Sequence, residues 1–309
     1  MPESNPAANN SVSSTTSKSS GNAARTFHVA GVPEHFNLPW HLALESNAFE
    51  EAGVEVQYTD FPGGTGAMTR ALAAGEIDIA ILLSEGAIAD ILNGGNNRIV
   101  KVYVQSPLIW GIHVAANSPF HKIDDIAGQK YAISRFGSGS HLMAIVDADE
   151  RGWQTDDMQF VTVGGLEGAR KSLPAGESDA FLWEFFTTQP FVDSGEFRRI
   201  GERRVPWPAF VVSVNQDRLS DDRDAIKRLL QVVDRFSNQL MKDSNAVELI
   251  SKRYDLEKDD AQKWFELTQW QNGFELPEKE FERVIQSLAK LELTNNHDAT
   301  MEQICVKLA

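Results

Sequence analysis

Apolar positions along the chain fall into short blocks whose spacing alternates between two residues and nearly four, the periods of strand and helix. "TFHVAGV" (26–32) reads as a strand, Pro39 to Glu51 as a helix with Gly53 past its end, and "VEVQYTDF" (54–61) as a second strand. "GGTG" (63–66) opens a helix running to Ala74, "IDIAILL" (77–83) is a short buried strand, and a helix from Ser84 to Leu92 ends at "NGGNN". "RIVKVYVQ" (98–105) and "LIWGIHVAA" (108–116) follow as strands. A second cycle then starts. "IDDIAGQKYAISRF" (123–136) gives a short helix, a turn and a strand, and "GSGSHLMAIVDADERG" (137–152) is a Gly/Ser loop feeding a helix that closes at Gly152. "QFVTV" (159–163), the helix Leu166–Leu173, "SDAFLW" (178–183), a helix from Glu184 and "FRRIGE" (197–202) continue the alternation. After "AFVVSV" (209–214) the pattern changes to long helices, Asp221–Lys242, Ala246–Tyr254, Asp260–Leu267 and Pro277–Leu291. Such alternation predicts an α/β fold with doubly wound sheets covered on both faces.

One short passage is written twice. "RALAAGEIDIAIL" (70–82) returns as "KSLPAGESDAFLW" (171–183), each with Ala-Gly-Glu, one residue, Asp and an apolar run. In both, a helix is expected to end at a glycine, Gly75 or Gly176, the residue type that accepts the left-handed conformation after a helix. The chain then turns through Glu and carries Asp78 or Asp179 into a buried strand. Two similar units at that separation suggest two lobes built alike; good turn chemistry recurring by chance is the alternative.

The chain has 309 residues, enough for about two domains, with 42% hydrophobic and 24% charged residues. Its net charge of −15 argues against nucleic acid, which needs clustered Lys and Arg. No apolar run approaches the roughly 18 residues of a membrane span. Cys305 is the single cysteine, so neither an intrachain disulfide nor a cysteine metal cluster can form. No histidine pair, among them His35, His41 and His141, has a metal-ligand spacing, so no metal and no cofactor are expected. Residues 1–25 are rich in Ser, Asn, Thr and Ala and are expected to form a disordered tail. They lack the apolar stretch of a secretory signal, which points to the cytoplasm.

"PGGTGAMTRALAAGEIDIAI" (62–81) resembles the Gly-Gly-Ser/Thr…Gly-Glu-x-Asp signature of type 2 periplasmic binding proteins, in the branch for nitrate, sulfonates, taurine and thiamine pyrimidine precursors. "IDDIAGQKYAISRFGSGSHLM" (123–143) is similar to the family's second-lobe entry, and "HFNLPWHLALESNAFEEAGVEVQ" (35–57) to its first strand–helix–strand unit. The resemblance covers roughly Thr26 to Gln216, and signal-less, stand-alone fungal members look nearest. It implies a two-lobed α/β fold with a hinge of two crossover strands and extra C-terminal helices. Lobe 1 would be 26–105 plus 215–309, lobe 2 would be 112–206, and the crossovers would lie at 105–114 and 207–215. A monomer is expected. The family also implies a periplasmic alternative for location and, if the chain is exported, a transporter permease as partner. The fungal thiamine pyrimidine synthases share this architecture. Their clustered Cys motif is absent here, however, and no Lys in the first strand–helix loop could hold a pyridoxal cofactor.

Ligands in open α/β sheets sit beyond the carboxyl ends of the strands, which nominates the loops there. After the first strand come Glu34, His35 and Phe36, and after the second Gly63, Gly64 and Thr65. Gly137, Ser138, Ser140 and His141 form a matching helix start in the other lobe. Helix starts offer unsatisfied N–H groups and the positive end of a dipole, although each run also fits an ordinary cap. Glu34, Glu85 (beside Ser84) and Glu184 fall near strand ends, where a carboxylate can accept from an amine or aminopyrimidine or merely favour a helix start. Trp110, Trp183, Trp207 and Phe210 suit a planar ligand or core packing. Arg135 could pair with a carboxylate or phosphate. The leading expectation is a non-catalytic binder that closes over a small polar ligand, pyrimidine-like or anionic. The alternatives are an enzyme of the same architecture, with His35 and Glu85 as acid and base, and a cytosolic regulatory or interaction module.

Overall fold

The computed structural model describes residues 25–294, 296 and 298–308. The tail expected over 1–25 lies outside the described residues except for Arg25, which opens the first strand. Ten strands form two five-stranded mixed sheets among the described residues. The first sheet holds β1 (Arg25–Gly31), β2 (Val54–Asp60), β3 (Ile79–Leu83), β4 (Asn97–Val104) and β10 (Phe210–Asn215), in the order β2-β1-β3-β10-β4. The second holds β5 (Ile109–Ala115), β6 (Lys130–Ile133), β7 (Gln159–Thr162), β8 (Ala180–Glu184) and β9 (Phe197–Arg204), in the order β7-β6-β8-β5-β9. Position by position the two sheets match: three parallel strands, then an antiparallel one, then an edge. The antiparallel fourth strand of each sheet arrives from the other one. The chain crosses between Val104 and Ile109 and returns between Arg204 and Phe210, so two lobes share two crossings.

The repeated passage now has a physical cause. After α3 (Thr65–Ala74) the chain turns at Gly75 with φ 70°, and after α6 (Leu166–Ser172) it turns at Gly176 with φ 69°. The following amides close onto the helix in the same way, Glu76 N–H donating to Ala71 O and Glu177 N–H to Ser172 O. Asp78 then brackets one residue of the neighbouring strand: its N–H donates to His28 O at 2.8 Å and its carboxylate accepts from His28 N–H at 2.8 Å. Asp179 does the same to Lys130, at 2.8 and 3.0 Å. A backbone-mimicking carboxylate extends the parallel ladder by one pair and fixes the register of β3 on β1 and of β8 on β6.

Helix positions follow the expected pattern with four departures. The helix expected over Pro39–Glu51 is two, α1 (Leu38–Glu45) and α2 (Ala48–Glu51), because Asn47 takes a left-handed conformation with φ 56°. No helix starts at Glu184. That residue closes β8, and the helix, α7, is only Gln189–Asp193, begun by Pro190 in its first turn. α8 (Gln216–Leu240) starts five residues before the expected Asp221 and kinks at Asp222, whose φ is −126°. A short α12 (Met301–Ile304) follows the expected helices. The remaining helices, α4 (Ser84–Leu92), α5 (Gly139–Glu150), α9 (Ala246–Tyr254), α10 (Lys258–Leu267) and α11 (Glu278–Lys290), fall where periodicity puts them.

Three of the C-terminal helices pack on helices that flank the first sheet: α8 on α1, and α11 and α12 on α4. One buried cation helps hold them. Lys101, with no exposed surface, donates to Asp234 at 2.8 Å and to the carbonyls of Gln271 and Gly273 at 2.9 and 2.5 Å. All three ammonium hydrogens thus find acceptors, which is the condition for burying Lys at all.

Asp179→Ala removes a charge-assisted hydrogen bond and is expected to cost about 1.5–3 kcal/mol of stability in urea unfolding. Asp78→Ala is expected to cost at least as much, since Asp78 also pairs with Arg218 at 3.0 Å. Unchanged midpoints in both variants would sink the bracketing role.

Candidate functional site

Where the strand ends of the two lobes meet, a narrow cavity of about 50 Å³ opens. Its first-lobe wall is Val32 and Glu34 from the loop after β1, Gly63, Gly64 and Thr65 at the start of α3, and Leu83 at the end of β3. The second lobe contributes Ser134, Ser138, Gly139 and Ser140 around the start of α5, with Trp110, Trp183 and Glu184. Leu108 and Phe210 close it at the crossings. A wider vestibule of about 490 Å³ shares Val32, Glu34, Gly63 and Trp183 with the cavity and continues outward along Val163–Gly168.

The walls are apolar and aromatic, and the charge is all of one sign. No Lys, Arg or His is among the residues lining the cavity. Glu184 ends β8 with 4% of its surface exposed, and its Oε2 accepts from Thr187 N–H at 2.5 Å. Burial pushes its carboxyl above the ordinary range. Glu34, on the other lobe, is raised by burial and further by the negative charge of Glu184. Two carboxyls facing one apolar space from opposite lobes resist carrying two negative charges, and a hydrogen-bond donor between them would relieve that conflict.

The helix starts do local work. Gly64 reaches α3 with φ 68°, a conformation that favours glycine, while Thr65 Oγ1 turns away to accept from Leu83 N–H at 3.1 Å. Ser138 caps α5 by accepting from His141 N–H at 3.4 Å, and Ser140 Oγ accepts from Ser134 N–H at 3.0 Å. The two hydroxyls lie 3.1 Å apart. Gly139 sits against the other lobe: a Cβ there would collide with the Leu83 side chain across the seam and touch Trp110 of its own lobe.

Of the residues nominated from sequence, Glu34, Gly63, Gly64, Thr65, Trp110, Ser138, Ser140, Trp183 and Glu184 are brought together here, with Phe210. Eight others lie elsewhere. His35 and Phe36 point into the first-lobe core. The His35 ring packs 4.3 Å from Trp264, and Phe36 O accepts from Tyr103 Oη and Trp270 Nε1 at 2.8 and 2.9 Å. Burial pushes the His35 imidazole down to about 3, so it is neutral near pH 7, and its Nε2 stands 3.8 Å from Glu184 Oε2. Ser84, Glu85 and Trp207 bind each other's segments. Trp207 Nε1 donates to Glu85 Oε2 at 2.9 Å, Ser84 Oγ to Pro208 O at 2.6 Å, and Ser84 N–H to Ala209 O at 3.1 Å. The start of α4 therefore clamps the returning crossing. His35 and Glu85 are not among the residues that line the cavity or the vestibule. Arg135, Gly137 and His141 line a separate pocket behind α3.

Sequence reading missed Val32, Leu83, Leu108, Ser134 and Gly139, all next to strand ends already singled out. It also missed Gly164–Gly165, which repeats Gly63–Gly64 at the 101-residue spacing of the duplicated passage and lines the vestibule at the start of α6. Reading the repeat a few residues further back would have found it. Among the described residues no cluster of His, Cys, Asp and Glu can hold a metal, and no helix is long and apolar enough to cross a membrane.

Comparison with known proteins gives a consistent picture. A model of the Ca3427-like PBP family matches residues 110–203. The Candida albicans CA3427 gene product, described as defining a new family with the generic periplasmic binding protein fold, is 27% identical. The alignment covers 91% of this chain and 96% of that one with a TM-score of 0.85. The alkanesulfonate-binding protein SsuA from Xanthomonas axonopodis pv. citri, bound to MOPS, is 14% identical over 91% of this chain and 99% of its own, with a TM-score of 0.76. The periplasmic nitrate-binding protein NrtA from Synechocystis PCC 6803 is 13% identical over 91% and 86%, with a TM-score of 0.72. These last two show the shared fold alone. No curated protein sequence matches the chain.

The Glu85 clamp carries a pH signature. Burial raises its carboxyl from the ordinary 4.5 to about 7, so the folded protein holds a proton that the unfolded chain has released. Stability from this group is therefore lost as pH rises from about 4.5 to about 7. Glu85→Gln keeps an acceptor for Trp207 and is expected to flatten the decline of Tm across that window; parallel profiles for the two proteins would refute the assignment.

Proposed function

We propose that this chain, of the type 2 periplasmic-binding-protein-like family, is a non-catalytic receptor that closes its lobes over a small planar ligand rich in hydrogen-bond donors, such as an aminopyrimidine. The observation that carries this reading is the pair Glu34 and Glu184, one from each lobe, in an aromatic-walled cavity without a basic side chain. The family-like neighbours are themselves binding proteins, for alkanesulfonate and for nitrate, which supports a binding role. The lining argues for a different ligand chemistry from theirs. A sulfonate or nitrate entering here would meet two carboxyls and no cation, whereas an amine or amidine satisfies both carboxyls at once. Trp110, Trp183 and Phe210 supply flat apolar surface for the ring, and the hydroxyls of Ser138 and Ser140 supply polar contacts at its edge. Closure would turn on the two crossings, residues 105–108 and 205–209, the second of them held by the α4 clamp.

Purified protein with 4-aminopyrimidine derivatives, MOPS and nitrate in parallel thermal-shift titrations tests the ligand class. A rise in Tm with the aminopyrimidines and none with the two anions is expected; the reverse ranking would overturn the reading. Glu184→Gln should weaken aminopyrimidine binding by about 1.5–3 kcal/mol in calorimetric titration, the range for hydrogen bonds to charged groups, with the fold preserved. Consumption of the probe, followed by mass spectrometry, would instead mark an enzyme.

A further inference from the structure

Behind α3, on the side away from the cavity, a second pocket of about 260 Å³ spans both lobes. Gly66, Arg70 and Asp90 bound it from the first lobe, and Arg135, Phe136 and His141 from the second. The guanidinium of Arg135 crosses the lobe boundary. Its Nη1 donates to Gly63 O at 2.6 Å, and the plane lies so close over Gly66 that any Cβ there would collide with it. Nη2 is buried and has no hydrogen-bond partner among the described residues. Burial and the adjacent Arg70 charge both pull the Arg135 pKa down, to about 10, with no carboxylate holding it up. Two cations thus share a pocket in a chain of net charge −15.

The other polar groups are accounted for. Asp90, the one acid in the pocket, accepts at its Oδ2 from Asn97 Nδ2 at 2.7 Å. His141 Nδ1 accepts from Gly137 N–H at 3.1 Å, so its proton sits on Nε2 and the ring is a further donor. Phe136, with 65% of its surface exposed, forms an uncovered aromatic rim. Two guanidinium forks and an imidazole N–H, with an apolar ring at the edge, match a tetrahedral oxyanion carried on a small organic group.

We infer that this pocket is a second ligand site, separate from the central cavity, that takes a phosphate group, either free or as a small phosphate ester. An occupant held by Arg70 from one lobe and Arg135 from the other ties the lobes together, and through Gly63 it touches the wall of the central cavity. The inference stands on Arg70, Arg135 and Phe136, which do not line the central cavity, so either can fail without the other.

Thermal-shift and calorimetric titration of the full chain with inorganic phosphate and with phenyl phosphate, at constant ionic strength, tests it. Both probes are expected to raise Tm. Arg70→Gln, a change at an exposed side chain, is expected to weaken both by about tenfold or more. Tighter binding of phenyl phosphate, lost in Phe136→Ser, assigns an ester; equal affinity assigns the free ion. No Tm rise with either probe, an equal rise with chloride, or an undiminished response in Arg70→Gln would overturn the site.

Discussion

The start of α4 grips the returning crossing, and the geometry of the whole molecule depends on that grip. Ser84 uses both its amide and its hydroxyl on Pro208 and Ala209, while Glu85 takes the indole N–H of Trp207. Three polar contacts at one helix start fix where the chain leaves the second lobe and enters β10. Since β10 is the antiparallel fourth strand of the first sheet, its path determines how the strand ends of the two lobes face each other. The cavity exists because both sets of ends converge on that boundary.

Much of this was legible in the chain, and the reasons differ by feature. Alternating periods located nearly every strand, because buried parallel strands need continuous apolar runs and the helices between them need one apolar face. The duplicated Ala-Gly-Glu-x-Asp passage was visible as a pattern, but its cause was not. Only the pairing of β1 with β3 and of β6 with β8 shows that each Asp imitates a peptide group for a neighbouring strand. The two-part first helix escaped because Asn47 is an ordinary polar residue in sequence and a left-handed one in space.

At the site, nearness to a strand end predicted location but not direction. Glu34 and His35 are adjacent in sequence, and one meets the cavity while the other is drawn into an aromatic core by Trp264, from a helix more than two hundred residues later. Likewise Glu85 and Glu184 both follow strands of the same rank in their sheets. Glu85 is taken by Trp207 of the crossing, whereas Glu184 accepts only from its own following turn, at Thr187 N–H, and lines the cavity. Side-chain direction was settled by distant segments of the chain, which local patterns do not report.

The seam at Gly139 sets a limit on the family of shapes available to the protein. With hydrogen alone at that position, the backbone of α5 lies flush against Leu83 and Trp110. A methyl group at that position would have to displace the tip of the Leu83 side chain across the seam and crowd the Trp110 ring within its own lobe, so this hydrogen sets how closely α5 approaches the end of β3.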